Sequence, residues 1–283
     1  MPMMFAERLD RAHRCADSLV CVGLDPDLDK LPADLRGQPT PFLAFARRIV
    51  DASAGLAAAY KPQIAFYSAG GREGELEGSI RYIRERAPEA LVILDAKRGD
   101  IGNTAEAYAR EAFERYDADA VTVNPYMGED SVLPFVARPE RAAIVLCRTS
   151  NPGSRDFQEL KIEGQALYRH IAARAATRWN TRRNVMLVVG ATFPKEAAEL
   201  RQAHPELWFL VPGIGAQGGD LEATLAAGLN ADGDGLLINS SRALIYAGGG
   251  EPLAIRTATL ELRAAINRGR AARRQKSQRR LTP

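Results

Sequence analysis

The sequence predicts an α/β protein with the (β/α)8 TIM barrel fold. Eight short apolar runs succeed one another along the chain, and each is followed by a polar turn and a helix-like segment. The runs are nearly continuous in apolar residues, which is typical of parallel strands buried on both faces. Alternation of eight such units within about 250 residues is the pattern of a closed barrel. A doubly wound open sheet is the alternative that this pattern leaves open.

The eight predicted strands are rich in valine, leucine, isoleucine and alanine. They lie at residues 19–24, 58–62, 91–96, 119–124, 142–147, 185–190, 208–213 and 235–240. Residues 41–53 are predicted to form a helix, because Thr40 offers an N-cap and Pro41 suits the first helical position. Residues 106–116 have apolar residues at helical spacing, and residues 25–40 are predicted to form a long loop.

Composition divides the chain into a globular barrel domain, residues 1–267, and a basic tail, residues 268–283. Of the 283 residues, 46% are hydrophobic, which excludes a disordered or fibrous protein. The tail lacks apolar periodicity and is predicted to be disordered. It holds seven Lys or Arg and no acid, so the formal charge of +3 becomes −4 for the barrel domain. Charge alone therefore does not indicate a nucleic-acid partner, although RNA binding or a scaffold role through the tail is the hypothesis from a different class.

Cysteine usage and the first residues bear on the compartment. The three cysteines are Cys15, Cys21 and Cys147, an odd number without a CxxC pair, so neither a disulfide framework nor a cysteine metal site is predicted. Residues 1–14 contain acids and arginines where a signal peptide needs an apolar stretch, and no later apolar run reaches about 18 residues. We expect a cytoplasmic protein with no membrane partner.

Charged residues cluster at the end of the third predicted strand. Asp95 and Lys97 are two residues apart, so they should point to the same face and form an ion pair in the barrel mouth. Asp100 follows a turn and is expected either beside Lys97 or in a neighbouring subunit. A crowded group of acids and lysine perturbs pKa values, which favours an active site over a structural salt bridge.

A glycine-rich segment, residues 211–220, follows the seventh predicted strand. It contains GxGxxG at Gly213, Gly215 and Gly218, a pattern also found in dinucleotide-binding folds. Only one strand follows it, whereas that fingerprint normally opens the sheet. In a barrel, the same backbone N–H groups would bind a phosphate, with Arg242 after strand eight as a second anchor.

Other catalytic chemistries have little support. The three histidines, His13, His170 and His204, do not lie at strand ends, so a histidine-based nucleophilic mechanism is not predicted. Cys147 falls inside the fifth strand and is expected in the core. Lys97 would compete with a metal ion for the space between the carboxylates, so we expect a site without metal.

Together these residues resemble the orotidine 5′-phosphate decarboxylase family, and in particular its longer, second subgroup. The DxKxxD signature of that family appears at residues 95–100, and the phosphate-loop pattern PGxGAQGG at residues 212–219. The resemblance extends over residues 20–246. It departs at strand eight, where INSSRALIY replaces the commoner glycine-arginine pair, and the chain has insertions around 25–40 and 150–180.

The resemblance implies a homodimeric, cofactor-free enzyme that converts orotidine 5′-phosphate to UMP, the last step of de novo pyrimidine synthesis. The implied catalytic residues are Lys97 as proton donor with Asp95, Asp100 and Lys61. The implied substrate contacts are Asp25, Ile101, Thr104, Ser150, Pro212, Gln217, Gly218, Gly219 and Arg242. Three of these residues would complete the active site of the partner subunit: Asp100, Ile101 and Thr104. The resemblance assigns no role to Asn239, Ser240 and Ser241. A magnesium-dependent sugar-phosphate decarboxylase or aldolase of the same superfamily is the rival.

Overall fold

The computed structural model describes residues 3–214 and 218–281, and it contains a closed barrel of eight parallel strands. The barrel strands are β1 Val20–Leu24, β2 Ala59–Pro62, β3 Leu91–Arg98, β4 Ala120–Val123, β5 Ala142–Arg148, β8 Val185–Val189, β9 Trp208–Val211 and β10 Leu236–Ser240. Two further strands, β6 Lys161–Ile162 and β7 Gln165–Ala166, form a short antiparallel hairpin outside the barrel. Around the barrel the strand order is β1-β10-β9-β8-β5-β4-β3-β2. All eight predicted strands and the barrel fold are confirmed, and the open sheet is excluded.

Helices surround the barrel. The α-helices are α1 Phe5–Ala16, α2 Ala33–Arg36, α3 Pro41–Ser53, α4 Ile64–Ser68, α5 Glu73–Arg86, α6 Gly102–Arg110, α7 Leu133–Val136, α8 Leu167–Arg174, α9 Pro194–Ala203, α10 Leu221–Gly228, α11 Arg242–Ile245 and α12 Pro252–Leu281. Helices α6 and α8 continue into π-helical turns at Glu111–Arg115 and Ala175–Trp179. The predicted loop at 25–40 contains a short 3-10 turn, Leu28–Lys30, and helix α2.

Alternate residues of the strands face two different cores. On β3, Val92 and Leu94 belong to the large core between barrel and helices, whereas Leu91 and Ile93 belong to the core inside the barrel. Side chains along a strand alternate between its faces, so the next inward position on β3 is residue 95. Inward positions near the carboxyl ends of the strands therefore line the barrel mouth.

Helix α1 closes the amino-terminal end of the barrel. Its apolar residues Phe5, Leu9 and Ala12 are buried and belong to the same core as the inward-facing Leu91 and Ile93. An amphipathic helix buries its apolar face wherever it meets such a surface. The barrel consequently has a packed floor, and its open end lies at the carboxyl ends of the strands.

Helix α3 begins at the predicted residue, but its cap differs from the prediction. Thr40 occupies the N-cap position and its side chain makes no capping hydrogen bond. Instead, the carboxylate of Glu75 accepts hydrogen bonds from the backbone N–H groups of Phe42 and Leu43, at 2.8 and 3.0 Å. A carboxylate at a helix N-terminus satisfies free N–H groups and interacts favourably with the helix dipole. Glu75 thus joins α5 to the start of α3.

The expected disordered tail is not observed, because α12 continues through residues 268–281. Arg270 is buried and holds this part of the helix. Its guanidinium donates to the Gly233 carbonyl oxygen and to carboxylate oxygens of Asp17 and Asp234, at 3.1, 3.1 and 2.8 Å. These partners belong to other segments, which is why periodicity within the tail did not reveal the helix. Within the described residues, no helix is both long and apolar enough to span a bilayer.

Candidate active site

A cavity of about 430 Å³ opens at the carboxyl ends of the barrel strands. This is the end at which βα loops build sites in barrel enzymes. Seven residues with an implied catalytic or substrate-binding role line it: Asp25, Lys61, Asp95, Lys97, Ser150, Pro212 and Arg242. They come from five strand ends and from the start of α11, so the barrel brings distant parts of the sequence together.

The centre of the cavity is a carboxylate held between two lysines. Lys61 donates a hydrogen bond to Oδ2 of Asp95 at 2.9 Å, and Lys97 donates to Oδ1 at 2.7 Å. The side chains of Lys61 and Asp95 are only 5% and 11% exposed, whereas that of Lys97 is 48% exposed. The predicted Asp95–Lys97 ion pair is confirmed, with Lys97 reaching toward the open side.

Charge pairing outweighs burial at this centre. Burial disfavours the charged form of Asp95, but the ammonium groups of Lys61 and Lys97 outweigh it and hold the pKa of Asp95 well below its usual range. Burial also disfavours the charged form of Lys61, yet the carboxylates of Asp95 and Asp25 raise the pKa of Lys61 above its ordinary value. Both groups of the buried pair are therefore ionised at neutral pH.

Lys97 has an unusual backbone conformation. Its φ of 47° lies in the left-handed region, which is rare for residues other than glycine. Strain of this kind costs about 1–3 kcal/mol and persists only where surrounding contacts hold the backbone. The hydroxyl of Thr122 on β4 makes such a contact, since it accepts a hydrogen bond from the Lys97 N–H at 2.9 Å.

Sequence reasoning missed Thr122, which lines the cavity and is 1% exposed. The sequence around Thr122 nevertheless contains a pattern that could have identified it as a residue of the site. It is the single polar residue within the strand Ala120–Val123 and shares the inward face of Ala120. A buried polar side chain on the inward face near a strand's carboxyl end indicates a contact in the mouth of the barrel.

Asp100, Ile101 and Thr104 do not line this cavity. The carboxylate of Asp100 accepts a hydrogen bond from the neighbouring Ile101 N–H at 2.8 Å. Ile101 is 54% exposed, and Thr104 is exposed on the first turn of α6. Of the two expected positions for Asp100, a contact with Lys97 in the same chain is not present. This segment instead presents an apolar and a hydroxyl side chain to the exterior.

The opposite side of the cavity is formed by the ends of β9 and β10. Pro212, Gly213 and Ile214 line it together with Arg242 and three residues without a predicted role, Asn239, Ser240 and Ser241. Of the predicted phosphate loop, Gly218 and Gly219 lie beside these residues in sequence without lining the cavity, and Gln217 lies outside the described residues. A Cβ on Gly219 would approach the Gly213 carbonyl oxygen to 2.7 Å, so the close approach of the two chain segments requires glycine.

The loop after β5 carries Ser150 into the cavity, and a fully buried arginine anchors it. Arg148 stacks over the ring of Phe193 at 3.5 Å, donates to the Ser154 hydroxyl at 2.6 Å and forms an ion pair with Glu159. Arg148 was not identified from the sequence, because its polar partners Ser154 and Glu159 lie in an insertion without periodicity. The arrangement holds both ends of the loop that bears Ser150.

Cysteine and histidine side chains do not line the cavity. Cys147 is buried in the core as predicted, and burial raises its pKa to about 12. His13 is buried in α1, where its Nε2 lies 3.1 Å from Oδ1 of Asp10. In the part of the chain that the structure describes, no group of three or more His, Cys, Asp or Glu has the arrangement of a metal site.

The model of the orotidine 5'-phosphate decarboxylase / HUMPS family matches residues 18–255. The chain belongs to this family. This match confirms the resemblance to the orotidine 5'-phosphate decarboxylase family that was inferred from residues 95–100 and 212–219. The matched segment contains every barrel strand and all the residues that line the cavity.

Individual relatives agree with the family assignment. The orotidine 5'-phosphate decarboxylase of Janthinobacterium sp. (strain Marseille) is 54% identical over 268 residues, which cover 94% of this chain and 99% of the relative. That of Cupriavidus taiwanensis is 55% identical over 270 residues, covering 95% and 99%. Among solved structures, Leishmania donovani OMP decarboxylase superposes with a TM-score of 0.83 at 43% identity, covering 95% of this chain and 99% of the other. A Toxoplasma gondii structure described as putative orotidine-monophosphate-decarboxylase gives a TM-score of 0.84 at 36% identity, covering 95% and 98%.

Proposed function

We propose that this chain is a carboxy-lyase that decarboxylates orotidine 5′-phosphate to UMP, the last step of de novo pyrimidine synthesis, without a cofactor. The observation that carries the proposal is the Lys61–Asp95–Lys97 arrangement in the barrel mouth of a member of this family. The cavity of about 430 Å³ lies within the range of small-molecule sites.

Loss of CO2 leaves the bonding electron pair on a pyrimidine ring carbon with little resonance stabilisation. Lys97 is placed to stabilise that carbanion as an ammonium ion and then to transfer a proton to it. Its side chain is held by Asp95 at 2.7 Å and is 48% exposed toward the open cavity. Lys97 therefore serves as electrostatic stabiliser and general acid.

Asp95 and Lys61 support Lys97 from the barrel interior. Asp95 holds the Lys97 ammonium on one oxygen, and Lys61 occupies the other oxygen. A carboxylate flanked by two cations remains ionised and cannot take the proton that Lys97 must deliver. Asp25 also lines the cavity, and its Oδ1 is buried without a hydrogen-bond partner among the described residues. We assign Asp25 to a polar group of the substrate.

The remote parts of the substrate provide binding energy and orientation. Arg242 is suited to a bidentate contact with the phosphate, together with the backbone N–H groups of Gln217 and Gly218. The N–H of Gly219 instead donates to the Gly213 carbonyl oxygen at 3.1 Å and holds the start of this loop. Ser150, on the loop anchored by Arg148, is suited to contact the pyrimidine. Binding of the phosphate acts on catalysis by orienting the ring against Lys97 and by favouring loop closure.

We further propose a cytoplasmic homodimer in which Asp100, Ile101 and Thr104 complete the partner's site. Two features support the shared site. The three residues follow strand β3, which carries Asp95 and Lys97, but they do not line the cavity of their own chain. In addition, Ile101 exposes 54% of its surface. A second copy of the chain that covered this segment would bury that apolar surface and bring a further carboxylate toward Lys97.

The test is turnover of orotidine 5′-phosphate by the purified protein after exhaustive chelation with EDTA. The proposal expects full activity, followed as the loss of substrate absorbance and the appearance of UMP. Loss of activity with EDTA and its restoration by Mg²⁺ would contradict the cofactor-free mechanism. Turnover of a keto-sugar phosphate in place of orotidine 5′-phosphate would contradict the substrate assignment.

A further inference from the structure

The pairing of β3 with β4 is interrupted beside the catalytic lysine. The register runs from Leu94 opposite Val121 directly to Arg98 opposite Val123. Three residues of β3 thus stand opposite Thr122 alone, which is the geometry of a bulge. A bulge leaves backbone N–H groups without partners in the strand ladder, and a buried N–H without a partner is costly.

The hydroxyl of Thr122 fills this gap. Its oxygen accepts hydrogen bonds from the N–H groups of Ala96 and Lys97, at 3.0 and 2.9 Å. The same hydroxyl donates to Oδ1 of Asp95 at 2.9 Å. A threonine hydroxyl has one donor and two acceptor positions, so its hydrogen-bonding capacity is fully used. All three bonds go to consecutive residues of the bulge.

The hydroxyl therefore connects the backbone of Lys97 to the carboxylate that holds its ammonium group. Asp95 Oδ1 receives both the Thr122 hydroxyl and the Lys97 ammonium. The Lys97 N–H bond to Thr122 stabilises a backbone with a φ of 47° that the residue would not adopt alone. One side chain on β4 thereby restrains both ends of the catalytic lysine.

We propose that Thr122 is a positioning residue that sets the geometry of the Asp95–Lys97 pair for proton transfer. This inference rests on the proposed function. The hydroxyl is the active part of the side chain in this proposal, and the methyl group contributes only packing. Displacement of a catalytic group by about 1 Å costs up to about 100-fold in rate. Loss of the hydroxyl is accordingly expected to lower kcat more than it changes KM.

The experiment compares Thr122→Val, which keeps the shape and removes the hydroxyl, with Thr122→Ser, which keeps the hydroxyl. Thr259→Val is the matched control, because Thr259 is also buried and its hydroxyl donates only to the Ile255 carbonyl within α12. We expect Thr122→Val to lower kcat about 100-fold with KM changed less than about threefold. Thr122→Ser should restore kcat to within about tenfold of wild type, and Thr259→Val should leave it unchanged.

Amide hydrogen exchange provides a readout that does not depend on activity. The N–H groups of Ala96 and Lys97 should exchange slowly in the wild type and in Thr122→Ser, and rapidly in Thr122→Val. If Thr122→Val does not fold, Thr122→Cys replaces it, since a thiol is a weaker donor and acceptor and should give intermediate exchange and an intermediate kcat.

The outcomes separate the two proposals. Wild-type kcat in Thr122→Val, an equal loss in Thr122→Ser, or rapid exchange of the two amides in the wild type would each overturn the role of Thr122. A wild-type protein that does not turn over orotidine 5′-phosphate would instead contradict the proposed function, and the exchange data would still decide whether Thr122 holds the bulge.

Discussion

Lys61 donates a hydrogen bond to Oδ2 of Asp95 across 2.9 Å, and both side chains lie almost wholly inside the barrel. Lys97 binds the other oxygen of the same carboxylate but is 48% exposed. The two lysines therefore share a partner and differ in burial. Removal of one member of a buried ion pair costs much more stability than removal of a partly exposed one.

Substitution of the two lysines should separate stability from catalysis. Lys61→Met leaves Asp95 with one cation fewer in the interior, and we expect the free energy of unfolding to fall by about 3 kcal/mol. Lys97→Ala should change the free energy of unfolding by less than about 1 kcal/mol. It should lower kcat at least about 10⁴-fold, because it removes both the general acid and the charge that stabilises the carbanion. Urea denaturation and steady-state kinetics measure the two effects, and UMP binding should remain detectable in Lys97→Ala. Near-wild-type turnover by Lys97→Ala would contradict the mechanism.

The buried pair should contribute a constant stabilisation across neutral pH. The pKa of Asp95 is lowered in the folded protein, so its contribution is complete above its unfolded pKa of about 4 and is lost as pH falls through the folded value. The pKa of Lys61 is raised, so its contribution is complete below its unfolded pKa of about 10.4 and is lost as pH rises through the folded value.

The measurement is the difference in the free energy of unfolding between wild type and Lys61→Met as a function of pH. We expect a plateau from about pH 5 to about pH 10 with a decrease on either side. Burial lowers the pKa of His13, and that titration is common to both proteins and cancels in the difference. A slope within the plateau would show that another group titrates with the pair.

Inactive subunits should complement each other if the site is shared. In a heterodimer of Lys97→Ala and Asp100→Ala chains, one site carries both substitutions and the other carries neither. Mixing the two variants after dissociation should restore up to about half of the wild-type activity per heterodimer. Titration of one variant against a fixed amount of the other measures the recovery. No recovery in a verified heterodimer would place the action of Asp100 within its own chain.

The end of α12 should matter for stability and leave catalysis intact. A variant that ends at Asn267 loses Arg270 and its bonds to Asp17, Gly233 and Asp234, and we expect the free energy of unfolding to fall by about 3 kcal/mol. Turnover at temperatures where this variant is folded should be unchanged, because α12 does not line the cavity.

A variant that ends at Gln275 is the matched control for the shorter chain. It retains Arg270 and should have wild-type stability. Arg270→Ala in the full chain should reproduce most of the loss seen on truncation at Asn267, which also removes the hydrogen bonds of Arg273 and Arg274 to the Asn230 and Asp232 carbonyl oxygens. Thermal unfolding of the four proteins makes the comparison. Equal stability of the chains ending at 267 and 275 would contradict the structural role of Arg270.

The parts of the fold that depend on local pattern were predictable. Apolar runs such as residues 91–96 identified each barrel strand, and the two-residue spacing of Asp95 and Lys97 correctly placed both side chains on one face. Residues that act through distant partners were not predictable in this way. The cap of α3 comes from Glu75, 33 residues away, and the order of α12 depends on Asp17, 253 residues from Arg270.

Thr122 lies between these two cases. Its inward direction follows from the alternation along β4, but its three hydrogen bonds depend on the bulge in β3. Nothing in the apolar run 91–96 marks the bulge, because the extra residues are accommodated by contacts with the neighbouring strand. Strand periodicity thus predicts which side chains enter the barrel mouth, and the pairing of strands decides which of them touch.

The packed floor that α1 makes beneath the barrel has a consequence for molecular traffic. Phe5, Leu9 and Ala12 pack with inward-facing strand residues at the amino-terminal end, so the residues that the structure describes close that end of the barrel. In the reaction proposed here, the nucleotide enters and both products leave through the same mouth. If loops close over the nucleotide, as the proposed role of the phosphate requires, they also retain the CO2, and their reopening then releases both products and sets an upper limit on turnover.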